Sequence, residues 1–265
     1  MMTQLGGYRF FTALTLAAIS GAATIVPVRA QSQVTPVVCS APSELTHFVR
    51  PLNRVARRFA AGKPITIVAI GSSSTAGAGA SSPTATYPSR LAMELRGRFP
   101  LRTITVINHG INGAEVGDLL AKFEENVAAD KPDLVLWQLG TNSLLRDRTI
   151  SGAASAIGEG LRRIKAIGAD VVLINPQYAP KVIAKAEAEH MLNIIATAAN
   201  QGSVNLFDRF AVMKRWRVAE NIPFSAFLSP DELHMNDWSY GCVAKLLSAA
   251  IAEAATRPAQ TAIAR

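Results

Sequence analysis

Two short stretches of this 265-residue chain carry side chains suited to nucleophilic catalysis. The first, IVAIGSSSTAGAGA at 67–80, runs from an apolar, strand-like segment into three consecutive serines. The second, SPDELHMND at 229–237, places Asp231 three residues before His234. On a tight turn this spacing lets the carboxylate bond one imidazole nitrogen while the other nitrogen faces a serine hydroxyl. The two stretches therefore predict a nucleophile, a base and an orienting acid, which is the chemistry of acyl transfer.

The small-residue tract at 71–80 has three other interpretations, and each meets an objection. A phosphate-binding loop would continue into Gly-Lys-Ser/Thr, but the chain has no lysine between Lys63 and Lys122. A dinucleotide loop would open a helix directly, whereas this tract is expected to lead into SSPTATYP instead. A flexible linker does not fit between a buried strand and a packed helix. A reactive serine remains, although alternation along the strand does not select among the three serines.

Two further clusters offer hydrogen-bond donors to a developing oxyanion. NHGINGAEV, which begins at Asn108, contains Gly110 and Gly113, whose backbone N–H groups a substrate can approach closely. LGTNS contains Asn142 with its side-chain amide. Taken alone, each cluster is better explained as a turn or a helix cap. Their occurrence in chain order with the serines and His234 favours an oxyanion hole.

The other three histidines fit structural positions. His47 and His190 lie in helix-like segments, and His109 ends a predicted strand with no carboxylate at a useful spacing. The sequence therefore favours His234 as the base.

Alternating strand and helix patterns predict the scaffold that must position these residues. Longer helices are expected at 43–61 (kinked or broken at Pro51), 115–128, 150–168, 182–200 and 238–255. Buried strands are expected at 64–70, 103–109, 132–140, 169–176 and 204–208. This alternation predicts an α/β fold, a three-layer α/β/α sandwich around a five-stranded parallel sheet. The clusters that follow the first three strands should then meet at one edge of the sheet.

With these blocks in place, the chain resembles the SGNH hydrolases, also called the GDSL type, from about Pro64 to Ala255. GSSST resembles the nucleophile block, NHGINGAEV the second block, GTNS the third and DELH the last. In the second block the oxyanion glycine follows the strand-end Asn by five residues, which selects Gly113. The resemblance implies a flavodoxin-like fold, a catalytic triad of Ser73, Asp231 and His234, and an oxyanion hole formed by Ser73, Gly113 and Asn142.

The chain departs from that family's pattern at two positions. Ser72 stands where an Asp commonly precedes the nucleophile, and Ser143 stands where an Asp often follows the block-three Asn. The first departure removes a carboxylate but leaves the nucleophile. The second departure predicts that the hydrogen bonds around Asn142 differ from those in the rest of that family.

The N-terminus has the order of a secretory signal: Arg9, then the charge-free run FFTALTLAAISGAATIV, then a small-residue cleavage site ending at Ala30. A retained membrane anchor is the alternative. We therefore expect a signal peptide at 1–30, a leader at 31–42, the hydrolase domain at 43–256 and a tail at 257–265. The mature protein is expected to be periplasmic or secreted, with no stable membrane association.

Composition and charge limit which kinds of partner are expected. A chain with 49% hydrophobic and 17% charged residues is not a disordered one. The net charge of +8 is scattered over helix-like segments without an aromatic–basic platform, so nucleic acid is not an expected partner. The two cysteines, Cys39 and Cys242, are a candidate disulfide in an exported chain. Their separation in sequence does not suggest a zinc site, and no cofactor is expected.

The function predicted from these residues is hydrolysis of short-chain acyl esters, with O-acetyl groups on a carbohydrate or glycan as the favoured substrate. Tyr178, Phe224 and Phe227 lie on loops expected to rim the site, where they either stack on substrate or anchor the loops. Alternatives are a lysophospholipase or thioesterase acting on longer chains, a glycan O-acyltransferase with the same triad, and a non-catalytic glycan-binding module. The sequence does not indicate an oligomeric state.

Overall fold

The computed structural model describes residues 1–3, 7, 38–146 and 150–257. Nearly all of the predicted signal peptide, most of the leader and most of the tail lie outside the described residues, so export and cleavage stay predictions. The chain divides into a unit Met1–Pro36 and a unit Val37–Arg265, and every element below belongs to the second. Among the described helices, none has the length and apolarity to span a membrane.

One five-stranded sheet forms the centre of this unit, with all strands parallel and in the order β2-β1-β3-β4-β5. This is the flavodoxin-like strand order, and it confirms the predicted fold class. The strands are β1 Ile65–Gly71, β2 Ile104–Gly110, β3 Leu134–Gln138, β4 Asp170–Ile174 and β5 Asn205–Phe207.

The strand sequences explain why the sheet lies inside the domain. All five residues of β3 are buried, as are six of the seven in β1. Strands this apolar need helices on both faces, since either face would otherwise be exposed to water.

Helices supply those layers, with α4 packed on α12 and α7 packed on α9. The α-helices are α1 Ser43–Thr46, α2 Asn53–Ala60, α3 Ser73–Ala76, α4 Tyr87–Arg98, α5 Val116–Ala121, α6 Thr141–Leu145, α7 Ala153–Ala166, α8 Pro180–Ile183, α9 Ala188–Gln201, α10 Arg209–Val218, α11 Phe224–Phe227 and α12 Asp237–Thr256. Short 3₁₀ turns lie at Pro83–Ala85 and Ile150–Gly152, and a π-turn lies at Glu124–Ala128.

Three predicted helices differ in the structure, and the one expected at 115–128 is α5 followed by the π-turn Glu124–Ala128. The helix expected at 43–61 is interrupted between α1, which ends at Thr46, and α2, which begins at Asn53, and Pro51 lies within that break. The prediction of one helix at 182–200 was wrong in its first part. A separate short helix, α8, begins two residues earlier at Pro180 and ends at Ile183. A proline is well placed in the first turn of a helix, and a turn closed by Ala188 N–H on the Lys185 carbonyl then separates α8 from α9.

A disulfide ties the start of the described domain to its last helix. Cys39 is bonded to Cys242 in α12, at a sequence separation of 203. The Trp216 indole N–H also donates to the Ser40 carbonyl at 3.0 Å. Residues 38–42 are therefore held on the domain at two points.

Candidate active site

The three serines after β1 have three different environments. The tract does open a helix directly, contrary to expectation: Ser73 is the first residue of the one-turn helix α3. Ser72 is buried, and both its N–H and its hydroxyl donate to Gln138 Oε1 at 2.9 Å. Ser74 is also buried, and its hydroxyl has no partner among the described residues. Ser73 alone of the three is partly exposed, and its hydroxyl donates to His234 Nε2 at 2.8 Å.

His234 lies between Ser73 and Asp231. The imidazole Nδ1 is 2.5 Å from Asp231 Oδ2, on the opposite side of the ring from the serine. With Asp231 ionised, Nδ1–H donates to the carboxylate, so Nε2 keeps a free lone pair for the hydroxyl proton of Ser73. The structure thus joins the three side chains in one hydrogen-bonded chain.

A closed turn holds Asp231 and His234 in this relation. Ser229 N–H donates to the His234 carbonyl at 2.8 Å. The flanking residues Leu228 and Met235 form an isolated antiparallel β-bridge. Within the turn, Asp231 Oδ1 accepts hydrogen bonds from Ser229 Oγ at 2.7 Å and from the backbone N–H of His234 at 2.9 Å. The carboxylate therefore organises the turn with one oxygen and orients the imidazole with the other.

The ionisation of Asp231 follows from these contacts. Desolvation alone would raise its pKa, but hydrogen bonds from Ser229, from the His234 ring and from two backbone N–H groups outweigh it. The pKa of Asp231 accordingly lies below its ordinary value. The group is a carboxylate at any pH near neutrality, as an orienting acid must be.

A carboxylate partner is not what distinguishes His234, because every histidine in the chain has one. His47 lies 3.0 Å from Glu253, His109 lies 2.6 Å from Asp130 and His190 lies 3.1 Å from Glu187. The expectation that His109 lacks a useful carboxylate was wrong, since the fold supplies one 21 residues away. Among the four, His234 alone also faces a serine hydroxyl.

The two candidate oxyanion glycines have different roles. Gly110 ends β2 against α3, and a Cβ placed on it would lie only 2.1 Å from the Ala76 nitrogen. Its N–H is already donated to Asn108 Oδ1 at 2.9 Å. Gly113 lies in the following loop with a φ of +76°, and its N–H has no acceptor among the described residues. The structure therefore leaves Gly113, not Gly110, free to donate to a ligand.

Ser73 and Asn142 complete the set of available donors. The Ser73 N–H opens α3 and takes no acceptor among the described residues, as expected for the first turn of a helix. Asn142 Nδ2 donates to the Ala114 carbonyl at 2.9 Å. An amide nitrogen carries two hydrogens, so one remains for a ligand. All of these groups follow the carboxyl ends of β1, β2 and β3.

A buried polar scaffold that the sequence did not reveal supports both sides of the site. Gln177, after β4, accepts from the Thr141 hydroxyl at 3.1 Å and donates to the Leu233 carbonyl at 3.1 Å. Arg209, 1% exposed, donates to Gln177 Oε1 at 2.9 Å, and burial lowers the pKa of its guanidinium to about 10. The residues before Asn142 and before His234 are thereby linked. The only sequence signal for Gln177 was a polar side chain within three residues of an apolar strand.

The predicted aromatic rim needs a correction. Phe227 is fully buried in the core, so it cannot contact a substrate. Tyr178 and Phe224 are partly buried and stack on each other, with ring centroids 5.9 Å apart. Their mutual contact is that of loop-anchoring side chains. In the part of the chain that the structure describes, no cluster of three or more His, Cys, Asp or Glu side chains could hold a metal ion.

Solved structures of esterases share this fold. A two-domain esterase active on acetylated mannans superposes with a TM-score of 0.67 at 22% identity, over 79% of this chain and 54% of that protein. Axe2, an acetylxylan esterase from Geobacillus stearothermophilus, gives 0.60 at 21% identity over 71% and 94%. The acetyl xylan esterase AlAXEase gives 0.62 at 20% identity over 71% and 100%. At these identities the likeness shows the fold.

Sequence comparison gives one short match and one long one. An acetylxylan esterase from Geobacillus stearothermophilus is 44% identical over 52 residues, which are 20% of this chain and 24% of that enzyme. This chain thus matches about a quarter of that relative's length. The model of the Non-GDSL lipase-like family, in contrast, matches residues 38–257, which include every site residue named above. The chain belongs to the Non-GDSL lipase-like family.

Proposed function

We propose that the protein is a serine esterase of the SGNH type that removes short acyl groups, chiefly O-acetyl, from a carbohydrate. The observation that carries the proposal is His234, whose two ring nitrogens lie 2.8 Å from the Ser73 hydroxyl and 2.5 Å from Asp231. The carbohydrate substrate is supported by the relatives, whose names refer to acetylated mannans and to acetylxylan.

The first half of the reaction forms an acyl-enzyme. Ser73 Oγ attacks the ester carbonyl carbon while His234 Nε2 takes the hydroxyl proton. The carbonyl oxygen becomes an oxyanion that can accept hydrogen bonds from the free N–H groups of Ser73 and Gly113 and from the Asn142 amide. The C–O bond to the sugar then breaks, and His234 returns the proton to the departing sugar hydroxyl.

The second half regenerates the enzyme by the same route. His234 removes a proton from water, the resulting oxygen attacks the acyl carbon, and the bond to Ser73 Oγ breaks. The serine recovers its proton from His234, and a carboxylic acid leaves. Asp231 stays ionised throughout and stabilises the imidazolium in both halves.

The acyl preference is tested with nitrophenyl esters of acetyl, butyryl, hexanoyl and octanoyl groups and with an acetylated xylo-oligosaccharide. We expect kcat/KM to be highest for acetyl and to fall about tenfold or more towards octanoyl, as when a substrate group exceeds its pocket. Free acetate should equal the ester consumed, because water is the acceptor.

Three outcomes would contradict the proposal. A preference for octanoyl esters would indicate a lipid or thioester hydrolase and not a deacetylase. Acetate appearing on a second glycan instead of in solution would make the protein an acyltransferase. A folded protein inactive on every ester would leave the family resemblance without a catalytic function.

A further inference from the structure

The Gly113 N–H belongs to a turn whose geometry sets its direction. Ala114 N–H donates to the Ile111 carbonyl at 3.0 Å, which closes a four-residue turn with Gly113 in third place. A φ of +76° at that position is the conformation of a type II turn. Type I and type II turns differ by a flip of the central peptide, here the one that carries the Gly113 N–H. Such a flip would reverse the direction of the Gly113 N–H.

Three contacts hold this turn and the adjoining Glu115 to α6 and to Arg146, the residue that follows α6. Arg146 Nη2 donates to the Gly113 carbonyl at 2.8 Å. The same guanidinium forms an ion pair with Glu115 through Nη1. Asn142 Nδ2, from the same helix, donates to the Ala114 carbonyl at 2.9 Å.

We propose that Arg146 is a positioning residue for the oxyanion hole, and that it fixes the turn 111–114 on α6 so that the Gly113 N–H and the Asn142 amide face one point. This inference rests on the proposed function, because it assigns Arg146 to the same site. Arg146 acts through Gly113 and is not proposed to touch substrate, since its two end nitrogens are both engaged by the loop.

The chemistry of the contact favours arginine specifically. A guanidinium is a rigid fork that reaches two acceptors at once, whereas a lysine ammonium is a single point charge on a flexible stem. The arrangement also accounts for Ser143. The Ser143 hydroxyl donates to Glu115 at 3.3 Å. The carboxylate near Asn142 is therefore supplied by Glu115, which follows the turn, and not by the residue that follows Asn142.

The contribution of Arg146 to folding should be small. Its side chain is 44% exposed, and exposed ion pairs contribute little to stability. Its replacement should therefore alter the reaction and leave the fold intact. Arg162 in α7 offers a matched control, since it is 72% exposed and also pairs with a glutamate, Glu159, but has no contact with the site residues described above.

The experiment compares Arg146→Met, Arg146→Lys and Arg162→Met with wild type on nitrophenyl acetate, with thermal unfolding measured in parallel. We expect Arg146→Met to lower kcat about tenfold with KM within twofold, because a mispositioned donor loses part of the roughly hundredfold effect of one donor. Arg146→Lys should recover only part of the loss. Arg162→Met should match wild type, and all midpoints should agree within a few degrees.

Each other outcome overturns the inference. Wild-type kcat in Arg146→Met would show that the turn keeps its geometry without the arginine. A raised KM with unchanged kcat would make Arg146 a substrate-binding residue. Full recovery of kcat in Arg146→Lys would mean that the positive charge at this position, and not the two-pronged guanidinium contact, supports the reaction. Failure of the proposed function is distinguishable, because Ser73→Ala would then retain the wild-type rate, or wild type would have no esterase rate at all.

Discussion

Replacing Ser73 with alanine is expected to lower kcat/KM for nitrophenyl acetate by on the order of 10⁴-fold or more. The reaction needs an oxygen that forms a bond to the acyl carbon, and no neighbouring hydroxyl can take that role. Ser72 donates its hydroxyl to Gln138, and Ser74 is buried with no hydrogen-bond partner for its hydroxyl among the described residues. Steady-state hydrolysis by purified variants, with folding checked by circular dichroism, measures the effect.

The adjacent serines provide the controls. Ser74→Ala removes a buried hydroxyl that has no partner among the described residues, so its activity should stay within about twofold of wild type. Ser72→Ala loses one hydrogen bond to Gln138 but keeps the one made by the backbone N–H, so a loss of less than about tenfold is expected. A larger loss of activity in either variant than in Ser73→Ala would identify that serine, and not Ser73, as the nucleophile.

The second large effect concerns His234 and its carboxylate. We expect His234→Gln to lower kcat on the order of 10⁴-fold or more, because glutamine cannot accept and return the serine proton. Asp231→Asn should cost about 10⁴-fold, because the imidazole loses the partner that fixes its tautomer. Hydrogen bonds hold the Asp231 pKa below its ordinary value, so the wild-type pH–rate profile should show no inflection from this group above about pH 4.

His190 is a close control for this prediction. It follows Glu187 by three residues and bonds it through Nδ1 at 3.1 Å, as His234 bonds Asp231, but it lies on α9 and is exposed. His190→Gln should therefore leave kcat unchanged. Equal losses in the two histidine variants would mean that histidine–carboxylate pairing, not catalysis, underlies the effect.

The centre of the sheet was predictable because β1 and β3 are almost entirely buried. Both strands are nearly continuous runs of apolar residues, as expected for strands covered on both faces. In parallel sheets the loops that follow the strands meet at the carboxyl edge. The juxtaposition of the serine tract, the second-block glycines, Asn142 and the Asp231–His234 turn follows from that topology. Local spacing in DELH was enough to predict the His234–Asp231 contact, since both lie on one tight turn.

What escaped prediction depends on long-range contacts. Strand alternation did not separate Ser73 from its neighbours, and only the family resemblance selected it; in the structure the Ser72 hydroxyl is bound by Gln138, 66 residues away in the sequence. Gln177 and Arg209 link two loops through the interior, and no periodic pattern marks such a bond. For Phe227 the sequence left two roles open, because the same residue can anchor inward or face a ligand, and the structure places it in the core.

The most direct test of the account is to label the protein with a fluorophosphonate and map the site by peptide mass spectrometry. Attack by the serine oxygen forms an O–P bond, fluoride leaves, and the hydroxyl proton passes to His234. The account predicts one adduct per chain on Ser73, formed far more slowly in His234→Gln. Labelling of Ser72, Ser74 or a serine elsewhere, or no labelling of the folded protein, would contradict it.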